Sequence, residues 1–392
     1  MRVVVLSPTP PYRSGLSHYV LYLYSNFSNS HIVYIITNKD SNATPPSSNV
    51  VISRTFTPGI SAPWTCLRSI LIRDPDVLHI HVEYAFLGSW LNLLLLPFFM
   101  IILKFMCRSK IVMTLHGIPN IRSLYYYLRR ILKIPAVVSG PLGLMYSALS
   151  YVSVCISCIL SDAVIVHTGL MREALASFIP RKVLRKVHVI AHGSYEPVSI
   201  ENPGGDRDHI IILTIGYQRP SKGIKTLLRA GREISRYISN VEFMIVGRRI
   251  QRIIEKEEKI KSCNVGVRIK IVDDFLEDKA LDDIIRKAEI IVLPYEDLFY
   301  EASGALHRVA LFRKPLVCSN IPRFSSSLTN GVDSLLFPAG NHIKLSNCIS
   351  KLINNRVFAE QLSMRLAEKF SHTTWRLIAR KHEQLFLAMI QE

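Results

Sequence analysis

Two cations lie close together where the chain could hold a phosphate. Arg219 and Lys222 stand three residues apart in the segment IGYQRPSKG, which follows the apolar run Ile210–Ile215 and precedes a helical stretch. The planar guanidinium of Arg can bind a diphosphate through two parallel hydrogen bonds. Lys adds a point charge, and a helix N-terminus offers N–H donors. A solvated charge pair fits less well, because Lys is disfavoured at the positive end of a helix dipole. The segment Gly216–Gly223 is therefore predicted to hold a diphosphate.

A second loop, LPYEDLFYEASGAL, follows another apolar run. Its small residues begin a helical stretch, so their N–H groups could reach phosphate or sugar oxygens; they are Ser303, Gly304 and Ala305. Carboxylates precede them and could hold sugar hydroxyls; these are Glu296, Asp297 and Glu301. A phosphate site beside such acids indicates a sugar nucleotide.

Two loops in the first half could also bind a ligand. Gly15, in SPTPPYRSGLS, lies between a strand and a helix and lets the backbone approach a ligand, although an ordinary tight turn is the competing interpretation. The loop has neither a GxGxxG fingerprint nor a Walker lysine, so nicotinamide cofactors and P-loop ATPases are poorly supported. His116, in TLHG, ends a predicted strand, where it could bond a hydroxyl or a phosphate or be satisfied by the backbone.

The elements that position these loops alternate between strands and helices. Continuous apolar runs predict buried parallel strands, and the alternation predicts doubly wound sheets. A polar stretch, Ser194–His209, reads as a linker between two α/β domains, placed at residues 1–200 and 201–373. Because ligands bind at the carboxyl ends of such strands, we expect the site in a cleft between the domains. The predicted strands are Val3–Leu6, Ile32–Thr37, Val50–Arg54, Val77–His81, Ile111–Leu115, Ala163–His167, Val187–Ala191, Ile210–Ile215, Val241–Val246, Arg268–Val272, Ile290–Pro294 and Pro315–Ser319.

The composition is that of a globular protein with a large basic excess. The 392 residues carry 48 Lys and Arg against 30 Asp and Glu, and such an excess attracts phosphate on nucleic acid, lipid headgroups or a substrate. Nucleic acid is not favoured, because the basic residues are dispersed and no recognition helix stands out. Seven scattered cysteines predict free thiols in a reducing compartment. With a strand at the very start and no signal peptide ahead of it, we expect a cytoplasmic protein.

Two apolar segments, Phe86–Met106 and Ile134–Leu160, account for the high mean hydropathy of +0.22. Each is long enough to span a bilayer, yet strand-like runs on both sides argue against crossing. They are either core helices or a monotopic face lying in the membrane interface, which the neighbouring basic residues favour. Those residues are Lys104, Arg108, Lys110, Arg122, Arg129, Arg130 and Lys133.

Taken in order, these pieces resemble the family 4 glycosyltransferases, retaining enzymes of the GT-B fold. PTPPYRSGLSHYV resembles the glycine loop of the family, IVMTLHG its acceptor-side histidine segment and VHVIAHG the segment before the linker, which points to Gly193. IGYQRPSKG is similar to the donor motif Gly-Arg-Leu-x-x-x-Lys-Gly, with Gly216 and the motif lysine at Lys222. NGVDSLLFPAG resembles a late motif, and the end of the chain, residues 374–392, resembles the helix that crosses back onto the first domain.

The resemblance implies several donor contacts and shows several departures. Phe275 and Leu276 would flank the nucleobase, and SGALHRVALFRKP resembles a branch that keeps Ser-Gly-x-Leu-His, which adds His307. The arginine of the donor motif falls on Tyr217, with Arg219 near enough to replace it. The Glu-x7-Glu signature falls on Tyr300 and Arg308, so Glu301 is one residue out of register and the second glutamate is absent.

The resemblance implies a metal-independent hexosyltransferase that uses a nucleotide diphosphate sugar and needs no cofactor. Arg219, Lys222 and the amides near Ser303 would stabilise the leaving diphosphate, while His116 would contact the sugar or acceptor and Glu301 a sugar hydroxyl. The apolar segments favour a lipid-linked, glycan or membrane-proximal acceptor and a cytoplasmic protein bound peripherally to the membrane. With the glutamate signature broken, a non-catalytic, nucleotide-sugar-binding subunit is the alternative.

Overall fold

The structure is a computed structural model that describes the chain apart from residues 13–14, 119–135, 197–208, 217–219, 249–267, 275, 298 and 392, and apart from the side chains of 136–139 and 220. The chain divides into two compact units. Unit 1 comprises Met1–Gly193, Phe299–Ala302 and Trp375–Glu392, and unit 2 comprises Ser194–Leu298 and Ser303–Thr374. The six cysteines among the described residues are free.

Unit 1 is built on a parallel seven-stranded sheet of order β3-β2-β1-β4-β5-β6-β7. Its strands are nearly continuous runs of Val, Ile and Leu, as expected for strands covered on both faces. They are β1 (Arg2–Leu6), β2 (Ile32–Asn38), β3 (Val50–Phe56), β4 (Val77–Val82), β5 (Lys110–Leu115), β6 (Ala163–Val166) and β7 (Val187–Val189).

The helices of unit 1 cover both faces of this sheet. Right-handed crossovers place the helices that follow β3, β4, β5 and β6 on one face and the helix that follows β1 on the other, where the C-terminal helix packs beside it. The helices are α1 (Gly15–Ser25), α2 (Ala62–Leu71), α3 (Trp90–Met106), α4 (Ala136–Leu160), α5 (Gly169–Ala176), α6 (Arg181–Leu184) and the C-terminal α13 (Trp375–Gln391).

Unit 2 repeats this plan with a parallel six-stranded sheet of order β10-β9-β8-β11-β12-β13. Its strands are β8 (Ile210–Ile215), β9 (Val241–Val246), β10 (Arg268–Val272), β11 (Ile290–Leu293), β12 (Leu316–Ser319) and β13 (Leu335–Phe337). Its helices are α7 (Ile224–Ser235), α8 (Asp278–Lys287), α9 (Gly304–Val309), α10 (Pro322–Ser325), α11 (His342–Asn354) and α12 (Arg356–Ser371).

The predicted α/β class, with two doubly wound sheets, is confirmed. Each predicted strand corresponds to an observed one within about three residues at its ends, and the three-residue strand β13 was not predicted because so short a run carries no periodic signal. Unit 1 is not one continuous stretch of the sequence. The short segment Phe299–Ala302 and helix α13 belong to it as well as Met1–Gly193.

Candidate functional site

The sheet of unit 2 reverses its winding direction between β8 and β11, which are hydrogen-bonded neighbours. The chain leaves β8 towards β9 on one side, whereas β11 continues to β12 on the other. In open α/β sheets, ligands bind outside the carboxyl ends of the strands at such a switch point. The two loops that begin there are the predicted donor loop, from Gly216 to Gly223, and the loop that begins at Pro294.

Lys222 and Tyr295 bring these two loops together. The ammonium nitrogen Nζ of Lys222 lies 3.4 Å from the centroid of the Tyr295 ring, whose side chain is fully buried. The backbone N–H of Glu296 donates a hydrogen bond of 2.7 Å to the carbonyl of Ser221. The loop from β8 is thus joined to the loop from β11 at Ser221 and at Lys222, and the ammonium group lies at the switch point.

Gly223 allows this close approach. It caps α7 with φ +70°, a left-handed conformation, and a Cβ atom added there would lie 1.8 Å from the carbonyl oxygen of Pro294. Backbone cannot yield as a flexible side chain can, so any other residue at this position must push the two loops apart.

Replacing Gly223 with alanine is expected to destabilise unit 2 by roughly 3 kcal/mol, the sum of the left-handed strain and the forced backbone shift. Thermal unfolding should show a fall in melting temperature of about 6–12 °C. Gly331→Ala is the matched control, because Gly331 has φ +74° but open space around its Cβ position. Equal shifts for the two variants would contradict the contact between Gly223 and Pro294.

The structure gives two of the carboxylates in the second loop a structural role. Glu296 accepts a hydrogen bond of 2.6 Å from the hydroxyl of Thr226, and Asp297 forms a buried ion pair of 2.6 Å with Arg323. Glu301, in contrast, belongs to unit 1.

The start of α9 is organised by Ser303 and His307. The hydroxyl of Ser303 caps the helix by accepting from the N–H of Leu306, so Gly304 and Ala305 form its first turn. His307 is buried, and its Nδ1 lies 2.9 Å from the hydroxyl of Ser194. The polar groups of both side chains therefore already have partners within unit 2, and a role in donor binding stays a prediction for these residues.

Arg308, where the family signature has its second glutamate, is buried and paired with two aspartates. Its guanidinium contacts the carboxylate of Asp282 and lies 3.3 Å from that of Asp278, both on α8, and it stacks 4.5 Å from the ring centroid of Tyr195. Burial raises the pKa of Asp282, and the charge of Arg308 acts in the opposite direction. The position that holds a free carboxylate in the signature is thus part of an internal ion-pair network here.

The remaining donor-side predictions are only partly placed. Tyr217, Arg219 and Phe275 lie outside the described residues. Leu276 is partly buried against the core of unit 2, and Gly216 directly follows β8 and donates its N–H to the carbonyl of Val246. These contacts leave the nucleobase and phosphate roles as predictions.

In unit 1, the end of β5 brings His116 and Glu301 into one neighbourhood. Ile118, two residues after His116, donates its N–H to the carbonyl of Tyr300 at 3.0 Å. A Cβ atom built on Gly117 would lie 3.7 Å from Oε2 of Glu301. These two residues fall in different predicted domains, residues 1–200 and 201–373, whereas the structure places both in unit 1.

His116 is the middle member of a chain of three histidines. His167 Nδ1–H donates to the carbonyl of Ile190 at 3.0 Å, and its Nε2 lies 3.2 Å from Nδ1 of His116. Nε2 of His116 in turn lies 3.0 Å from Nδ1 of His81. For three neutral rings, the protons therefore lie on Nδ1 throughout, each donated towards the carbonyl of Ile190. Contact with a sugar or acceptor, as predicted for His116, would require Nε2 to be released from His81.

Three more buried histidines surround this chain: His79, His192 and His382. Burial lowers the pKa of His167 and of His382 to about 4 and that of His192 to about 3. Burial and the neighbouring histidines also lower the pKa of His79, His81 and His116. The cluster is therefore neutral near pH 7. Among the described residues, no group of three or more His, Cys, Asp or Glu side chains is arranged to hold a metal ion.

Of this cluster, His116 is the member named among the predicted site residues. The available signal was that His81, His116 and His167 stand at or next to the carboxyl ends of β4, β5 and β6, which are neighbours in the sheet. Gly193, predicted to bind the donor, packs against the indole of Trp375: a Cβ there would lie 2.2 Å from two ring atoms. Gly15 begins α1 with no atom within 4 Å of its Cβ position.

A family model matches most of unit 2. The family model described as Glycosyl transferases group 1 matches residues 209–355, which include β8 to β13, Lys222 and Arg308. This part of the chain is therefore similar to the group 1 glycosyltransferases. The resemblance drawn from the motifs is thereby confirmed.

Two curated relatives match part of the chain. A 2-deoxystreptamine N-acetyl-D-glucosaminyltransferase of Niallia circulans is 24% identical over 153 residues, 39% of this chain and 38% of the relative. A phosphatidyl-myo-inositol mannosyltransferase of Mycobacterium leprae (strain TN) is 26% identical over 172 residues, 43% of this chain and 44% of the relative. The chain thus spans less than half the length of the curated relatives it matches.

Solved structures match over the whole chain and show the fold. Sucrose-phosphate synthase from Thermosynechococcus elongatus has a TM-score of 0.74 at 16% identity, with coverage of 100% of this chain and 99% of that one. Anabaena HepE in complex with UDP and glucose has a TM-score of 0.68 at 12% identity, with 99% and 100% coverage. The predicted GT-B fold class is confirmed.

Proposed function

We propose that the chain is a retaining glycosyltransferase that moves a hexose from a nucleotide diphosphate sugar to a lipid-linked or membrane-proximal acceptor. The observation that carries the proposal is Lys222, a cation held over Tyr295 at the switch point of the sheet of unit 2, in the part of the chain similar to the group 1 glycosyltransferases. The Anabaena structure, solved with UDP and glucose, supports a nucleotide sugar as the donor class.

In the proposed reaction, the bond between the anomeric carbon and the diphosphate breaks, and negative charge grows on the leaving oxygens. Lys222, with Arg219 and the amides of the Ser303–Gly304 turn, stabilises this charge electrostatically, so the reaction needs neither a metal nor another cofactor. Glu301 holds a sugar hydroxyl, and His116 receives the sugar or acceptor at the end of β5.

A membrane-proximal acceptor is supported by two observations. One relative is named a phosphatidyl-myo-inositol mannosyltransferase, whose name describes a glycolipid product or substrate. In this chain, the acceptor-side unit carries two strongly apolar helices, α3 and α4, beside a basic excess. The proposed protein is cytoplasmic and peripherally bound to the membrane.

Arg308 favours a second candidate function, a non-catalytic subunit that binds a nucleotide sugar. The buried ion pairs of Arg308 with Asp278 and Asp282 stand where the family signature has a glutamate. A domain that kept the phosphate site and lost that carboxylate could bind the donor without transferring it.

Two measurements on the full chain test the proposed function. In a thermal-shift panel of UDP, GDP and ADP sugars, at least one donor should raise the melting temperature, because a ligand that binds only the folded state stabilises it. With that donor in radiolabelled form and membrane extract as acceptor, label should enter a lipid or glycan product with retained anomeric configuration. Binding without transfer would favour the subunit, and no binding by any of the donors would contradict both candidates.

A further inference from the structure

Helix α4 exposes an apolar side, which a surface helix of a water-soluble domain normally does not. Its inward side carries four buried serines: Ser147, Ser150, Ser153 and Ser157. Its outward side carries exposed aliphatic residues: Leu142, Leu144, Met145, Leu149, Val152, Ile156 and Ile159. A surface helix in water normally buries its apolar stripe and exposes its polar one. Small residues between helices and apolar residues outside are the pattern of proteins in contact with lipid.

Helix α3 packs against the serine side of α4 and continues the exposed apolar surface. Ser153 donates to the carbonyl of Leu93, and the hydroxyl of Tyr146 donates to that of Trp90 at 2.8 Å. The exposed large hydrophobic side chains of α3 are Trp90, Phe98, Ile101, Phe105 and Met106, with Phe105 at 88% exposure. Together with the outward residues of α4, they form a surface that we call the outer apolar face.

The outer apolar face is a concentrated feature rather than a scatter of single residues. It contains 12 of the 26 exposed large hydrophobic side chains among the described residues, and contiguous patches of this kind mark interaction sites. The two helices together contain a single charged residue, Lys104, and its ammonium is paired with Asp162 at 2.7 Å. Because an exposed apolar surface of this size is unfavourable in water, we expect this helix pair to bind another apolar surface.

Basic residues border one end of this face. Parallel strands begin at the same edge of a sheet, so the starts of β5, β6 and β7 lie together, beside the C-terminal ends of α3 and α4. Lys186 Nζ donates to the carbonyls of Ile159 at 3.3 Å and Ser161 at 3.0 Å, which joins this edge to the end of α4. The residues of this basic rim are Arg108, Lys110, Lys182, Arg185 and Lys186.

We propose that the outer apolar face lies in the interface of an anionic bilayer, with its side chains among the acyl chains and the basic rim at the headgroups. The biological purpose of this docking rests on the proposed function, because docking would bring the enzyme to a lipid-linked acceptor. Docking itself can be measured without any turnover. By length and composition, Gly140–Leu160 could also cross a membrane. Docking is favoured because Val154 and Cys158 on the same helix are fully buried in the core of unit 1.

Vesicle flotation of the full chain tests the docking. Vesicles of phosphatidylcholine alone are compared with vesicles of one part phosphatidylglycerol to two parts phosphatidylcholine. The anionic vesicles should bind the protein at least about tenfold more tightly, and the difference should shrink at high salt. Alkaline carbonate should release the bound protein, whereas retention would indicate a spanning helix and overturn the proposal.

The variant that tests the face combines Leu144→Gln, Leu149→Gln and Val152→Gln, all at exposed positions where the core is not disturbed. It should bind anionic vesicles about tenfold or more weakly than the wild type. The matched control combines Val357→Gln and Met364→Gln, similarly exposed on α12 of unit 2, and should bind as the wild type does. Equal binding by the wild type and the triple variant would overturn the proposal.

Light scattering without vesicles tests whether a second copy of the chain, and not a membrane, covers the outer apolar face. If the wild type forms a dimer, the triple variant stays monomeric and the wild type does not bind vesicles, the proposal is overturned in favour of self-association. Lys222→Ala should bind vesicles normally, so failure of the catalytic assignment and failure of docking give different results.

Discussion

Replacing Lys222 with alanine is expected to lower kcat/KM for the donor identified in the thermal-shift panel by about 10²–10³-fold, the cost of removing one preorganised group that stabilises leaving-group charge. The lysine lies at the switch point of the sheet of unit 2, where its ammonium lies over the ring of Tyr295 and its loop is hydrogen-bonded to Glu296. Steady-state kinetics with a radiolabelled sugar nucleotide measures the effect. Most of the loss should appear in kcat, because the charge on the diphosphate grows in the transition state.

Lys225→Ala provides the matched control for this variant. Lys225 lies on the first turn of α7, three residues from Lys222, and its side chain is exposed. The Lys225→Ala variant loses the same charge from nearly the same place, so it measures the long-range electrostatic effect alone. We expect its kcat/KM to differ from that of the wild type by less than about threefold. Undiminished turnover by a folded Lys222→Ala protein would contradict the donor-site assignment, and equal losses in the two variants would show that net charge, and not position, matters.

The fold was predictable because its strands are continuous apolar runs. Buried parallel strands need apolar residues on both faces, so Val3–Leu6 or Ile210–Ile215 predicts a strand without help from the rest of the chain. The position of the donor loop follows from the same rule, since a loop after the first strand of a doubly wound sheet lies at the switch point. Lys222 could therefore be placed from the sequence.

The contacts that define the candidate site depend on residues far apart in the chain, and these could not be read in advance. Arg308 pairs with Asp282, 26 residues away, and His116 with His167, 51 residues away. Glu301 joins unit 1 because Ile118 bonds to Tyr300, a contact between segments about 180 residues apart. Local patterns carry no information about such pairs.

The orientation of α4 was also beyond sequence analysis. The segment Ile134–Leu160 has no charge, so its hydrophobic periodicity does not show which side faces the core. In the structure, the serines point inward together with Val154 and Cys158, and Ser153 packs against Leu93. The exposed side of the helix is aliphatic.

Acidification is expected to destabilise unit 1 steeply between pH 6.5 and pH 5.5. A histidine whose pKa is lower in the folded state than in the unfolded chain binds fewer protons when folded. Its contribution is fully present above the unfolded pKa of about 6.5 and is lost as the pH falls towards the folded pKa, by about 1.4 kcal/mol per pH unit. With folded values of about 4 for His167 and His382 and about 3 for His192, these three alone remove about 4 kcal/mol by pH 5.5.

Thermal unfolding measured from pH 7.5 to 5.5 checks this prediction, in a range where most surface carboxylates stay ionised in both states. His382→Gln should flatten the dependence by about 1.4 kcal/mol per pH unit, because His382 is fully buried and its Nε2 has no hydrogen-bond partner among the described residues. His372→Gln, at an exposed position three residues before α13, is the control that removes a histidine outside the buried cluster. A melting temperature that does not fall with pH would show that the cluster takes up protons while folded. The chain from His81 through His116 to His167 would then carry charge near neutral pH, and His116 could act as an acid.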